Sequence, residues 1–173
     1  MSQPSQQPTR YRVAQLNPRQ PTAFVLAPDA EARAAIAGEL ALSSLPALRF
    51  TGDIRPAAHD AWEVTGLLTA KVVQPCVVTL APVKTALTEK LRRVFSPHAG
   101  TPEGDEVEMR DEELEPLGQF IDLQSIMIEA LSLALPLYPR AQGAELDNPQ
   151  DDQDEETRKP FAGLADLLKQ PKT

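Results

Sequence analysis

The sequence predicts an α+β domain: an antiparallel, curved sheet covered by two main helices, with a disordered N-terminus and an acidic C-terminal tail. Three observations point there. From Leu45 to Phe95 the chain alternates like strands and is rich in β-branched residues. Two stretches, Pro28–Leu40 and Asp122–Leu135, carry helical apolar spacing, the second behind the capping Asp122. Residues 1–9 and 141–158 are polar with almost nothing to bury. The expected organisation is a disordered 1–9, one α+β domain over 10–140, a disordered acidic linker over 141–158 and a short amphipathic tail helix over 159–173.

The elements follow in order. Tyr11 to Leu16 alternates and reads as a strand, Asn17 to Pro21 as a turn, and Thr22 to Leu26 as a short apolar segment. Pro28 and Asp29 open the first helix, because proline suits the first turn and a carboxylate suits its positive end. Its stripe, Ala32, Ile36 and Leu40, is narrow, as for a helix lying on a sheet. Leu48, Phe50 and Gly52 share one side of the next strand, with Arg49 and Thr51 on the other. Trp62 to Val73 forms a long strand in which Gly66 marks a bulge or bend. Gln74-Pro75 breaks it, and Cys76 to Leu80 resumes it. Val83 to Phe95 reads as a strand, although Leu87, Leu91 and Val94 also permit a helix. His98 to Pro116 is a Gly/Pro/acidic loop with room for a short strand at Val107–Met109. Asp122 caps the second main helix, which stops at Pro136. On its wheel Ile128 and Leu135 fall within the polar arc of Gln124, Ser125, Glu129 and Ser132. They therefore touch a second element or form a partner surface.

The core must consist mainly of Leu, Val, Ile and Ala, since only 5% of the 173 residues are aromatic. Seventeen prolines, about twice the usual ~5% share, break the chain too often for a long-helix bundle. The longest uncharged run, Val72 to Val83, is well short of the ~20 apolar residues of a membrane span. Met1 to Thr9 lacks the apolar core of a secretory signal, and a single cysteine cannot form an internal disulfide. These features predict a cytoplasmic protein. The net charge of -8 hides a division. Fifteen of 25 acids lie in Glu103–Glu115 and Glu145–Glu156, and the rest of the chain has 16 bases and 10 acids. A mildly basic body thus carries two acidic segments, which are solvated loops, repel nucleic acid or attract basic proteins.

Catalytic patterns are missing. His59 and His98 are far apart in loop-like settings, and one cysteine gives no zinc spacing. Asp105-Glu106 lacks the loop spacing of a cation site, and no glycine-rich phosphate loop occurs. Cys76 reads as an inert core thiol. No cofactor is expected. The remaining cluster is Lys84, Lys90, Arg92 and Arg93, cations able to neutralise phosphates or simply to solvate a strand. No aromatics interleave with them for base stacking. In the tail, Phe161, Leu164 and Leu168 share one helical face. That face must find a surface on its own domain or on a partner and would be displaced or captured in use.

Five motifs occur in a fixed order: Gln74-Pro75-Cys76-Val77-Val78-Thr79-Leu80-Ala81-Pro82-Val83, Arg92-Arg93-Val94-Phe95-Ser96-Pro97, Ile121-Asp122-Leu123 after an acidic loop, Leu133-Ala134-Leu135-Pro136, and Lys159-Pro160-Phe161-Ala162. The set resembles the YceD-type family of large ribosomal RNA subunit accumulation proteins, over roughly residues 10–170. The resemblance implies a bacterial, non-enzymatic ribosome biogenesis factor supporting accumulation or processing of large-subunit ribosomal RNA. Its expected partners are that RNA, a basic ribosomal protein or an rRNA maturation enzyme. The candidate contacts are Lys84, Lys90, Arg92 and Arg93 for nucleic acid, and Ile128, Leu135, Phe161, Leu164 and Leu168 for a protein. Many relatives place a cysteine pair after the Leu-Ala-Leu-Pro turn; Leu137 to Ala141 has none here, so a metal inferred for them does not transfer. The rival readings are a metal-dependent RNA-processing enzyme using clustered carboxylates, and an adaptor unrelated to ribosomes.

Overall fold

The structure, a computed structural model, describes residues 8–99 and 114–145. Five strands form the main sheet in the order β2-β3-β4-β5-β6: β2 is Thr22–Leu26, β3 Ser44–Pro56, β4 Trp62–Pro75, β5 Pro82–Ser96 and β6 Leu114–Pro116. All neighbours are antiparallel except β5 and β6. A second ladder pairs β1, Arg10–Arg12, with β7, Phe120–Asp122. The two helices are α1, Ala30–Glu39, and α2, Leu123–Ala134. The α+β expectation holds in this coarse form. The Val107–Met109 strand, the linker beyond Glu145 and the tail lie outside the described residues. No described helix is long and apolar enough to cross a membrane.

Alternation selects the buried face. Phe24, Leu26, Leu48, Phe50, Ile54, Val64, Leu68, Ala70 and Val72 point inward, and the register sets β3 and β4 side by side without a break from Ala47 to Pro56. Between Ser44 and Ala47 the register slips by one residue. That bulge lets Leu45 and Leu48, three apart, face the same core. Of the bulge or bend expected at Gly66, no bulge forms, since its register is unbroken on both sides. It stands opposite Gly52, beneath the ring of Phe50, whose centroid lies 4.8 Å from that of Phe24 with the rings tilted by 59°. Both helices cover this one face: Ile36 and Ala37 of α1 and Leu123, Ile126, Met127 and Leu131 of α2 join the same core.

The caps are local chemistry. The Asp29 carboxylate accepts from Ala32 N–H at 2.9 Å. At the other end Ala41 turns left-handed, and Leu42 N–H donates to the Ala37 carbonyl at 2.8 Å. Arg33 ties α1 to the sheet by donating to the carbonyls of Pro28 and Leu45. Asp122 caps α2 as expected, accepting from Gln124 and Ser125 N–H at 3.1 Å.

Two strand expectations are corrected. Tyr11–Leu16 is a strand only to Arg12; Val13–Gln15 then forms a 3-10 turn, with Val13 N–H donating to Gln119. Cys76–Leu80 is no strand but part of the β4–β5 turn, in which Leu80 is left-handed. Pro75 and Pro82 face each other where that ladder ends, and neither has an N–H to extend it. The β-branched run Val77-Val78-Thr79 misled the sequence reading, because proline placement overrides residue propensity here.

Candidate nucleic-acid interface

Residues paired directly across antiparallel strands lie on the same face, so the register also builds the side of the sheet opposite the two described helices. It carries Arg49, Thr51, Asp53 and Arg55 of β3; Glu63, Thr65, Leu67, Thr69 and Lys71 of β4; and Lys84, Ala86, Thr88, Lys90 and Arg92 of β5, with Val73 and Val94 buried at its two ends. Neither α1 nor α2 packs there. Six of these residues are cations and two are carboxylates. Arg55 is forked onto Asp53, with one branch at 2.9 Å, and that carboxylate holds the Arg55 guanidinium above its ordinary pKa. Thr65 donates to the same Asp53 at 3.3 Å. Arg92 pairs with Glu63. Arg49, Lys71, Lys84 and Lys90 are exposed, without a carboxylate of their own among the ion pairs at the described residues. Lys84 and Lys90 are six positions apart on one strand, which spans ~20 Å at ~3.4 Å per residue.

The sequence reading grouped Lys84, Lys90, Arg92 and Arg93. The structure brings Lys84, Lys90 and Arg92 to this face and separates Arg93 from them. Arg93 lies on the helix side, where it meets Glu129 of α2 at 2.8 Å and Glu115 of β6 at 3.5 Å, with 16% of its side chain exposed. Linear reading missed Arg49 and Lys71, because they approach Lys84 and Lys90 only across strands. Alternation in β3 and β4, followed for charged residues rather than apolar ones, carried that signal.

Ile128 and Leu135 are half-buried against the core, which accounts for their place on the polar arc of the wheel. Phe161, Leu164 and Leu168 lie outside the described residues. Beside α2, a groove of about 340 Å³ runs along β5 over Leu91, Ile126 and Ala130.

Cys76 is fully buried, and its sulfur accepts from the N–H groups of Ala141 at 3.3 Å and of Val78 and Thr79 at 3.4 Å. These donors, Ala141 first, together with the Thr79 hydroxyl, lower its pKa to about 6 against the opposing effect of burial. The chain after α2 reaches this thiol. It brings amide donors, and an N–H aimed at sulfur cannot ligate a cation. Among the described residues no three His, Cys, Asp or Glu side chains group to hold a metal ion.

Residues 64–168 match the family model described as large ribosomal RNA subunit accumulation protein YceD. The match begins in β4, takes in β5 and α2 and continues through the acidic segments. No curated protein and no solved structure matches the chain.

Proposed function

The chain belongs to the YceD family of large ribosomal RNA subunit accumulation proteins, and from that premise we propose a non-enzymatic assembly factor that holds large-subunit rRNA against the open face of its sheet. The observation that carries this reading is charge. A chain of net charge -8 presents six cations against two carboxylates on the sheet face that neither α1 nor α2 covers. Lysine and arginine neutralise phosphates, and the hydroxyls of Thr51, Thr69 and Thr88 between them can donate to phosphate oxygens. No aromatic side chain stands on this face in β3, β4 or β5 to stack on a base. The reading is therefore of backbone and shape recognition, with little demand on sequence.

The family is described by a role, accumulation of an RNA, and not by a reaction. Such a factor acts by occupancy: it shields or holds a precursor until later proteins bind. The acidic segments repel RNA and attract basic ribosomal proteins.

The test is depletion of the protein followed by sucrose-gradient profiling and probing of large-subunit rRNA precursors. Free large subunits should fall or precursors rise. A Lys71→Glu, Lys84→Glu, Lys90→Glu variant should fail to rescue while folding normally. Rescue by that variant would reject the sheet face as the RNA site, and unchanged profiles on depletion would reject the assembly role itself.

A further inference from the structure

The described chain leaves the domain at one pole, and that pole is apolar. There the β4–β5 turn is joined to the segment after α2. Val77 N–H donates to the Pro139 carbonyl at 2.9 Å, Gln74 Nε2 to the Pro136 carbonyl at 3.2 Å, and Ala141 N–H to the Cys76 sulfur. Around this seam Leu80 is 77% exposed, Leu137 85% and Tyr138 77%, with Val77 half exposed. Single exposed apolar residues are ordinary; several gathered at one seam mark a contact surface.

We propose that the chain's own segment Phe161–Leu168 docks on this pole. The described residues end at Glu145, four positions past Ala141. Fifteen residues separate Glu145 from Phe161. They give a span of about 22 Å, from ~5.5 Å times the square root of 16 bonds, which their repelling acids lengthen. The tether therefore returns the segment to the seam it left, at an effective concentration on the order of millimolar. A second copy of the chain would have to compete at its far lower solution concentration. The segment also needs a surface. Phe161, Leu164 and Leu168 share one face only in a helix, and some ten residues do not hold a helix alone in water. The family match runs to Leu168, the last apolar residue of that face, so the segment belongs to the same pattern as β4, β5 and α2.

Photocrosslinking of the full chain tests this. With Phe161 replaced by p-benzoylphenylalanine, irradiation should give an adduct within one chain. It should map to peptides containing residues 77–80 or 137–138, with a yield independent of protein concentration. Leu80→Glu with Leu137→Glu changes two exposed residues, so the fold should survive, as checked by far-ultraviolet circular dichroism; the yield should drop at least tenfold. Adducts elsewhere on the domain, adducts chiefly between two chains, or an unchanged yield in the double variant would each overturn the proposal.

Discussion

Arg92 and Arg93 are neighbours in sequence and stand on opposite faces of β5. Arg92 reaches Glu63 on the open face, while Arg93 joins Glu129 of α2 and Glu115 of β6 on the covered one. The same charge therefore sits in two settings, which mutation can separate.

Arg93→Ala should destabilise the domain by about 1–2 kcal/mol, since it removes a largely sheltered guanidinium with two carboxylate partners. Urea denaturation measures this. RNA affinity of the folded variant should stay within about twofold, because Arg93 lies away from the open face.

Charge reversal on the open face should do the opposite. Lys71→Glu, Lys84→Glu and Lys90→Glu should each leave stability within ~0.5 kcal/mol. Each should weaken RNA binding and flatten the logarithmic salt slope by ~0.7 for every single-strand phosphate that is no longer neutralised. Affinity titrations at several salt concentrations decide it; slopes equal to wild type would remove these lysines from the interface.

Gly66→Ala should cost about 1–3 kcal/mol through overpacking. A β-carbon there would lie 2.4 Å from Cε2 of Phe50, whose ring is fully buried and cannot swing away. Phe50→Leu in the same background should recover part of that stability. Gly52→Ala should be worse, because its β-carbon would meet the Thr65 carbonyl, a backbone atom, at 2.0 Å.

These residues show what was legible in the sequence. Leu48, Phe50 and Gly52 were correctly placed on one side, since alternation in a half-buried strand is a local property. Leu87 and Leu91 fitted both helix and strand because a spacing of four satisfies both periods; the strand is correct, over Pro82–Ser96. Asp122 was legible because a cap acts within three residues. The basic face was only half legible. Lys84 and Lys90 stood out in one stretch, but their union with Arg49 and Lys71 depends on register, which composition does not encode. Cys76 was read as an inert strand residue, because its amide donors come partly from Ala141, 65 positions away.

The cap gives a sharper test through paired substitutions. Asp122→Ala removes the acceptor for two N–H groups of α2 and should cost ~1 kcal/mol. Asp122→Asn keeps an acceptor oxygen and gives up only the 3.2 Å pair with exposed Arg10, so it should cost under ~0.5 kcal/mol. Equal destabilisation in the two variants would assign the stability to the ion pair instead of the cap.

Cys76 should make stability depend on pH in a defined direction. Its folded pKa of about 6 lies below the ordinary thiol value of about 8.5. Between those two values the folded chain holds the thiolate while the unfolded chain still binds the proton. Stability therefore rises with pH across that window. The contribution is fully present above the unfolded value and is lost as pH falls through about 6. Cys76→Ser should abolish this slope, so the gap in urea midpoint between wild type and variant should widen from pH 6 to pH 8.5. Alkylation by iodoacetamide should nevertheless be slow in the native state, because the sulfur is buried and must wait for the turn to part from the chain around Ala141. A constant gap across the window, or native alkylation as fast as that of a free thiol, would show that the three amides do not hold a thiolate.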